Sequence, residues 1–385
     1  MGRTVTETLL ESKPVEGDDA PPPLLCTSVA TPSDALDGWV VVDSLVDGMA
    51  MGGTRMTGSV TEAEVCALAR AMTVKLGLVG LPIGGAKAGI VAVPGHRERA
   101  LRSFGRAVAP LLHGGIYLGC DQGTTHADRD LFFAEAGYDL AANPRASELP
   151  TDWASFWHPL VDITGFGVSA GTLTALEYGG ANTPRRIAIQ GFGTVGRAVA
   201  KTLEARGHRV VAVADVAGTV HDPAGLPVRD LLAITDTAGT IDRAKLPPCV
   251  TATAEPEAWL DVDADVLVLA AGGDAVRADN VHRVRASLVV EGGNLCCTPQ
   301  AKERMRATGT IVLPDVVANV GGAAVTGCVL TGALPKMPHK ETVAWLFDWV
   351  DRRVRRNSRD VLEIARGGTG DPVPELLADR RRAGR

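Results

Sequence analysis

The feature that most constrains this chain is a glycine fingerprint placed between two apolar runs. The sequence Gly-Phe-Gly-Thr-Val-Gly fills positions 191–196, directly after the apolar run at 187–190. A second apolar run covers 210–214, and Asp215 ends it, nineteen residues after Gly196. Three spaced glycines alone are a weak signal. Here, however, the glycines lie between a strand and a helix, and a second strand that ends in an acid follows. This combination predicts the dinucleotide-binding unit of a doubly wound sheet.

Each glycine of the fingerprint has its own predicted role. Gly191 permits a tight turn, Gly193 lets the backbone approach a pyrophosphate, and Gly196 allows the helix to pack closely on the strand. The amides of Thr194 and Val195, at the start of the helix, then face the phosphates. The fingerprint therefore predicts a bound nicotinamide dinucleotide.

The acid after the second strand bears on the choice of dinucleotide. Asp215 is predicted to accept hydrogen bonds from the ribose hydroxyls of the adenosine, with Val216 beside it. The segment 216–218 offers no lysine or arginine to hold a 2′-phosphate. We therefore expect NAD as the cofactor, with NADP less favoured.

Further apolar runs of similar length define the fold class. They lie at 265–270, 287–291 and 310–314. Such runs between helical segments are typical of parallel strands in a sheet that is covered on both faces. We predict an α/β chain of two domains with a cleft between them: a Rossmann-type, doubly wound, dinucleotide-binding domain and an N-terminal α/β domain for substrate binding. The predicted ranges are 1–155, completed by C-terminal helices at 331–385, for the N-terminal domain and 156–330 for the Rossmann domain.

Composition narrows the class of protein. The net charge of -6 over 385 residues argues against a nucleic-acid partner, and the lack of any run of eighteen apolar residues argues against a membrane span. The seven cysteines form no Cys-x-x-Cys pair, so no metal site is predicted. The N-terminus has no apolar signal-peptide core, which favours a cytoplasmic location. Residues 1–24 are polar, end in prolines and are expected to form a loose arm.

A second glycine-rich stretch carries two lysines in an apolar setting. Lys87 ends the run Gly-Gly-Ala-Lys at 84–87, twelve residues after Lys75. A capping-box pattern at 61–64 predicts a helix that carries Lys75 near its C-terminal end and stops at Leu81-Pro82. A lysine on an apolar stretch is costly to bury without an anion, and glycines let a backbone approach a ligand. The stretch therefore predicts a pocket for a small carboxylate, with one amine left for chemistry.

Eight short motifs follow one another along the chain, at 52–56, 72–75, 81–87, 121–124, 164–168, 191–196, 291–294 and 314–322. In this order and spacing they resemble the motifs of the glutamate/leucine/phenylalanine/valine dehydrogenase family. The resemblance covers about residues 45–330. It implies reversible oxidative deamination of an L-amino acid to its 2-oxo acid and ammonia, by a homo-oligomer built through the N-terminal domain.

The resemblance implies roles for three charged residues. Lys75 is similar to the lysine that pairs with the substrate α-carboxylate, and the amides of Gly52 and Gly53 are expected to share that group. Lys87 resembles the catalytic lysine, and Asp121 resembles the acid that exchanges protons with the amino group. A second ammonium close to Lys75, in a closed site, should lose its proton more easily than a free lysine, so Lys87 can serve as a base.

Other contacts are implied around the nicotinamide and the substrate. Thr164 resembles a threonine near the nicotinamide, and Asn294 and Asn319 resemble asparagines that touch cofactor and substrate. Ala270 and Ala271 are also expected to contact the cofactor, and Met72 is expected to contact the substrate.

The substrate's side chain is expected to be apolar. Relatives that use glutamate carry a lysine directly before the Gly-Gly pair, where this chain has Met51. Met51, Gly119 and Ala323 are expected to line the side-chain pocket, with one hydroxyl from Thr326. Burying a distal carboxylate there without a cation would cost roughly several kcal/mol, whereas an apolar side chain gains about 1.5–3 kcal/mol. We therefore expect a branched-chain or aromatic amino acid, with glutamate a poor substrate.

Two alternative functions remain open from the sequence. One is reductive amination of an uncommon 2-oxo acid in secondary metabolism. The other is a catalytically silent NAD-binding subunit, against which the joint presence of Lys75, Lys87 and Asp121 argues. The neighbouring Cys296 and Cys297 are interpreted as small buried residues, with a redox-sensing pair as the alternative.

Overall fold

The computed structural model describes residues 21–143, 145–180, 182–368 and 370–383. The first twenty residues of the expected loose arm lie outside this range. The strands are β1 Leu25–Thr31, β2 Leu36–Val42, β3 Ala50–Thr57, β4 Gly84–Val91, β5 Ile116–Cys120, β6 Arg186–Gln190, β7 Arg209–Asp215, β8 Gly218–His221, β9 Thr251–Thr253, β10 Val266–Leu269, β11 Leu288–Glu291 and β12 Ile311–Leu313. The helices are α1 Glu62–Val79, α2 Arg97–His113, α3 His126–Ala136, α4 Trp153–Trp157, α5 Ile163–Tyr178, α6 Thr194–Ala205, α7 Val228–Ala233, α8 Pro299–Ala307, α9 Asp315–Ala318, α10 Gly321–Leu330, α11 His339–Gly367 and α12 Val373–Ala383.

The strands form two separate sheets. The first has the order β1-β2-β4-β3-β5, with β3 parallel to both β4 and β5 and antiparallel pairing at β1-β2 and β2-β4. The second has the order β12-β11-β10-β6-β7-β8-β9, and its first five strands are parallel. The expected two-domain α/β fold with a doubly wound parallel sheet is confirmed. The sequence did not predict β8 and β9, which extend this sheet antiparallel beyond β7.

Helix α1 begins and ends by local signals. The Thr61 side chain accepts a hydrogen bond from the amide of Glu64, which caps the first turn. The Glu64 carboxylate pairs with Arg55 instead of completing the predicted capping box. The helix ends at Gly80, whose φ of 75° suits a left-handed C-cap, and not at Leu81-Pro82 as predicted.

The glycines of the Gly-Gly-Ala-Lys run pack strands and helices together. A Cβ on Gly85 would lie 2.2 Å from the amide nitrogen of Thr73 in α1, and one on Gly84 would lie 2.0 Å from the carbonyl oxygen of Ser44. These two glycines therefore let protein backbone approach protein backbone. The expectation that they make room for a ligand is wrong at these two positions.

Two large hydrophobic cores lie against the two sheets. The core of the first sheet also takes in Val325 and Val329 from α10 and Leu346 from α11. The first half of α11 therefore packs with the first sheet, whereas Val361 and Leu362 of its second half and Leu376 of α12 belong to the core of the second sheet. The expected return of residues 331–385 to the N-terminal domain stays a prediction. The exact boundaries near residues 155 and 330 stay a prediction. In the described part of the chain, no helix is both long and apolar enough to cross a membrane.

Candidate active site

Two adjoining cavities lie where the two sheets meet. The larger is a cleft of about 630 Å³ at the carboxyl ends of the parallel strands of the second sheet. The smaller has a volume of about 250 Å³ and lies against β3, β5 and α1. Four residues line both cavities: Asp121, Thr164, Asn294 and Asn319. A ligand in the cleft and a ligand in the smaller cavity would therefore meet at these four residues.

The glycine fingerprint has the geometry of a phosphate cradle. Gly191 has a φ of 95°, which favours glycine, and a Cβ on Gly196 would lie 1.9 Å from the Gly191 oxygen. A Cβ on Gly193 would meet no atom within 4 Å, so the space above this glycine is open. No side chain of the described residues caps the start of α6, which leaves its first amides available to an anion. The pyrophosphate of a dinucleotide fits these features.

Most of the predicted cofactor residues line the cleft. They are Thr164, Gly191, Gly193, Val195, Asp215, Val216, Ala270, Ala271, Asn294 and Asn319. Thr194 and Gly196 lie behind this surface, in the first turn of α6. Sequence reasoning missed Ala238, Gly239 and Pro256, which line the cleft from irregular segments, and Trp259, which lies in a short 3-10 helix; none of these segments carries a motif.

Asp215 does not present a free carboxylate. Its side chain is 3 % exposed, and Arg243 donates to both of its oxygens, with 2.6 Å between Nη2 and Oδ1. The amides of Ala217 and Ile241 donate to the same two oxygens at 2.8 Å each. The expectation that this carboxylate is open to ribose hydroxyls is therefore wrong, because four protein donors already occupy it. Arg243, twenty-eight residues away, supplies the neighbouring cation that segment 216–218 lacks.

The smaller cavity brings the predicted substrate residues together. Lining it are Met51, Gly52, Gly53, Met72, Lys75, Lys87, Gly119, Asp121, Asn319, Ala323 and Thr326. The two lysines are each 3 % exposed. Two amines twelve residues apart in sequence therefore share one buried site, as the motif predicted.

Lys87 and Asp121 form the charged centre of this cavity. Lys87 Nζ lies 3.0 Å from Asp121 Oδ2, and Arg55 Nε donates to the same oxygen, also at 3.0 Å. Burial lowers the pKa of Lys87, Arg55 and Lys75 add to the lowering, and Asp121 opposes it. Burial opposes ionisation of Asp121, but Lys87 and Arg55 outweigh it and lower its pKa to about 2. The pair therefore combines a carboxylate with an amine that gives up its proton more easily than a free lysine does.

Arg55 is a member of this centre that sequence reasoning did not single out. It is 3 % exposed and links Asp121 to Glu64 of α1. The Asp121 amide donates to Thr124 Oγ1 at 2.9 Å, which fixes the turn after β5. Arg55 lies in a motif that the sequence displayed, but only the fold shows which acids it reaches.

Lys75 connects the two halves of the site. Its Nζ donates to Asn294 Oδ1 at 2.5 Å and lies 3.5 Å from Asp315 Oδ2. Asn319 Nδ2 donates to the Gly292 oxygen at 2.5 Å, and Thr164 Oγ1 accepts from the Gly322 amide at 3.0 Å. The lysine predicted to hold an α-carboxylate thus lies against the loops that follow the second sheet.

The side-chain end of the cavity differs from the prediction. Gly119 lines the pocket as expected, but a Cβ there would lie 2.9 Å from the Tyr117 ring, so Tyr117 occupies the space beside this glycine. Met51 and Ala323 line the cavity as expected, but so does Arg129, which is 6 % exposed. The premise that no cation serves this pocket is therefore wrong. Arg129 was missed because it lies in helix α3, outside the motifs.

Cys296 and Cys297 are both buried, and burial raises the pKa of each thiol well above its usual range. Their interpretation as small packed residues agrees with this placement.

A parallel sheet with a phosphate cradle, next to a buried cavity with a lysine–carboxylate pair, defines a two-domain, dinucleotide-linked dehydrogenase. Comparison with known proteins gives the family. The Glu/Leu/Phe/Val dehydrogenase dimerisation domain matches residues 28–136, and the Glutamate/Leucine/Phenylalanine/Valine dehydrogenase domain matches residues 158–362. The chain therefore belongs to this family of amino acid dehydrogenases, which are oxidoreductases with a nicotinamide cofactor.

Individual relatives agree with this membership. The chain is 33% identical over 346 residues to the NADP(+)-dependent glutamate dehydrogenase of Pyrobaculum calidifontis, covering 86% of this chain and 78% of the relative. It is 31% identical to the NAD-specific glutamate dehydrogenase of Staphylococcus aureus, covering 87% and 78%. The hetero-hexameric glutamate dehydrogenase of Thermus thermophilus superimposes with a TM-score of 0.71 at 26% identity, covering 91% of this chain and 84% of that one. These names do not support the expected place in the apolar-substrate branch.

Proposed function

We propose that the protein catalyses the reversible, NAD-linked oxidative deamination of an L-amino acid to its 2-oxo acid and ammonia. The observation that carries this proposal is the buried contact of Lys87 with Asp121, 3.0 Å apart, beside Lys75 and at the junction of the two cavities. In the larger cleft, the fingerprint around Gly191 and Gly193 would hold the pyrophosphate of the dinucleotide. The nicotinamide, when bound, supplies the acceptor for the hydride that leaves the substrate Cα.

The residues of the smaller cavity would bind the substrate and transfer its protons. Lys75, with the amides of Gly52 and Gly53, would hold the α-carboxylate and fix the direction in which Cα points. Loss of the hydride leaves an iminium, which water attacks at carbon. Neutral Lys87 takes a proton from that water and, once protonated, stabilises the oxyanion. Asp121 exchanges protons with the nitrogen that departs as ammonia.

Replacing Lys87 by methionine tests this assignment. We expect kcat to fall by about 10³-fold because the base is lost, while NAD binding measured by calorimetry stays unchanged. Lys201→Met is the matched control, since that side chain is half exposed and pairs with Asp162. Near-normal turnover in K87M, or failure of the wild-type chain to reduce NAD with any of the common L-amino acids, would contradict the proposal.

NAD is the proposed dinucleotide because the adenosine end of the cleft offers no cation to a 2′-phosphate. Among the described residues that line the cleft, Arg55 is the one basic side chain, and it is paired with Asp121 and Glu64. Arg243 lies nearby but is paired with Asp215. A ratio of kcat/KM values that favours NADP would overturn this choice.

We also propose a homo-oligomer. The match of residues 28–136 to a dimerisation domain supports self-association. Strand β1 forms an edge of the first sheet, where its outer backbone groups are free to pair in the described chain. Analytical ultracentrifugation of the single purified chain tests this, because a monomer would mean that a different partner chain is needed.

Two features of the smaller cavity bear on which substrate side chain the enzyme prefers. Met51 and Ala323 line the cavity without supplying a charge, which was the basis for expecting a branched-chain or aromatic substrate. Turnover of leucine well above that of glutamate would support that preference. Arg129, in the same cavity, instead favours a substrate side chain that ends in an anionic group.

A further inference from the structure

We infer that Arg129 recognises the end of the substrate's side chain, and that this side chain ends in a carboxylate. The inference rests on the proposed amino acid dehydrogenase function and names its substrate class. Arg129 lies in the first half of α3, lines the smaller cavity, and has a side chain that is 7% exposed.

The guanidinium of Arg129 is held in place by its neighbours. Its carbon Cζ lies 5.0 Å from the centre of the Trp153 ring and 5.8 Å from that of Phe133. Nε and Nη2 both donate to one oxygen of Asp130, at 3.0 and 2.5 Å. A planar cation fixed in this way is suited to bind a carboxylate at its remaining edge.

Most polar groups around Arg129 in this cavity are hydrogen-bond donors. Nε and Nη2 of Arg129 are both used, whereas Nη1 donates no hydrogen bond of 3.5 Å or less within the described residues and has the Tyr117 hydroxyl beside it. The indole nitrogens of Trp153 and Trp157, which line the same cavity, are buried and make no hydrogen bond in the described chain. Burial raises the pKa of Tyr117 and outweighs the neighbouring Arg129, which lowers it, so the phenol stays protonated and can donate its own hydrogen. Buried donors without partners favour an acceptor as the missing group.

The acid next to Arg129 does not satisfy the site. Asp130 has a side chain that is 64 % exposed, so water competes for it and screens the pair. The other two cations that line the cavity, Lys75 and Lys87, already have the acids Asp315 and Asp121 within 3.5 Å. Arg129 is therefore the cation of this cavity whose anionic partner lies mostly in solvent.

Two apolar residues of the same cavity, Met51 and Ala323, make its ion pairs depend on Arg129. Met51 and Ala323 supply no charge, so a carboxylate that entered this pocket would depend on Arg129 for an ion pair. Their apolar surface would instead cover the methylene groups of the same side chain. A side chain with an apolar stem and a terminal carboxylate fits both features, whereas a purely apolar one leaves the guanidinium facing hydrocarbon.

The test compares three substrates on two proteins. L-Glutamate and L-2-aminoadipate carry the carboxylate at two lengths, and L-norleucine has an apolar chain. For the wild type we expect kcat/KM for the better acid to exceed that for norleucine by about 100-fold. Arg129→Met should lose about 100-fold on that acid and change norleucine by less than about three-fold. Arg129→Lys, which keeps the charge and loses the planar edge, should fall between them.

A binding measurement separates recognition from chemistry. Quenching of tryptophan fluorescence by the 2-oxo acid of the preferred acidic substrate should weaken in R129M, while NAD affinity is unchanged. Arg102→Met is the matched control, because that arginine lies on the exposed side of α2 and pairs with Glu98 and Glu135.

Each other outcome has a defined meaning. Equal losses for acid and norleucine in R129M would show that Arg129 only holds Trp153, and would overturn the inference. A wild-type preference for norleucine or for an aromatic amino acid would also overturn it and leave the dehydrogenase function standing. Absence of turnover with every amino acid would instead contradict the proposed function itself.

Discussion

Two cations share one carboxylate oxygen at the centre of the site. Lys87 and Arg55 both lie 3.0 Å from Asp121 Oδ2, so each affects how easily the others change protonation. Deamination requires neutral Lys87, and therefore its rate should rise as pH rises through the pKa of this amine. After burial and the opposing effect of Asp121, Arg55 is the next contributor, and it lowers that pKa.

Removing Arg55 should therefore move the activity profile in a known direction. In Arg55→Met a positive neighbour is lost, the protonated form of Lys87 is favoured, and its pKa rises. We expect the rising limb of kcat against pH to shift by about one unit to higher pH. Glu64→Gln is the control, because it keeps Arg55 and removes only its outer partner. A shift of R55M toward lower pH would show that Lys87 is not the group that titrates.

The pair of Asp215 and Arg243 gives a second prediction at this scale. Asp215→Ser removes the acid that occupies Arg243 and leaves the guanidinium available to a 2′-phosphate. We expect the ratio of kcat/KM for NADP over NAD to rise by about 10-fold. Arg243→Met should lower the same ratio, because it leaves an unpaired carboxylate near the ribose. If both variants moved the ratio in one direction, the pair would not control the choice of dinucleotide.

Lys75, Lys87 and Asp121 could be identified from the sequence because each lies within a short continuous motif that resembles a motif of the family. Arg129 and Arg243 could not, because nothing in their own segments marks them. Arg243 is defined by an acid twenty-eight residues earlier, and Arg129 by an aromatic cluster and a cavity that exist only after folding. Single charged side chains that act across elements are therefore the part of the site that local patterns do not reveal.

At the scale of elements, the glycines that look alike in the sequence divide into two groups. Gly85 has protein backbone where its Cβ would be, whereas Gly193 has open space. The first type fixes the distance between α1, which carries Lys75, and β4, which carries Lys87. The second type leaves room for a ligand. Glycine spacing alone does not separate the two, because both types occur in short runs beside a strand.

The same alanine substitution should therefore have opposite effects at the two positions. Gly85→Ala forces β4 and α1 apart and should lower stability by about 1–3 kcal/mol or more, with loss of activity. Gly193→Ala should keep the melting temperature and weaken NAD binding, because its methyl group enters the cleft. Thermal melts and NAD calorimetry on both variants check this. A stable, active G85A would mean that the two elements can separate without cost to the site.

The parallel strands were predictable for a similar reason. Each of β6, β7, β10, β11 and β12 contains a short apolar run, which suits a strand covered on both faces. Strands β8 and β9 have no such run, and all three residues of β9 are exposed. They form because antiparallel pairing at the edge of an existing sheet needs only a backbone, which a search for apolar runs does not detect.

At the scale of the whole molecule, the last helices hold the helix that carries Lys75. Arg353 donates to the Val79 oxygen at 2.9 Å, and Asn357 donates to the Leu78 oxygen at 3.0 Å. Arg380 of α12 in turn donates to Asn357 Oδ1, with 3.0 Å from Nε. The end of α1 is thus tied to two helices that follow it by more than 250 residues in the chain. The C-terminal segment therefore supports the helix that carries Lys75, although Val361, Leu362 and Leu376 pack in the core of the second sheet.

Leu376 is the residue of α12 on which this connection should depend most. It is 1 % exposed, and its neighbour Leu377 approaches Gly77 of α1. Leu376→Ala leaves a cavity under α12 and should lower the free energy of unfolding by about 2–4 kcal/mol. Because α1 also carries Met72 and Lys75, KM for the amino acid should rise while the affinity for NAD stays near that of the wild type. Glu375→Ala, one residue earlier and exposed, is the matched control for denaturant unfolding and for kinetics. If L376A unfolded at the same denaturant concentration as E375A, α12 would be an appendage, and the support for α1 would come from α11 alone.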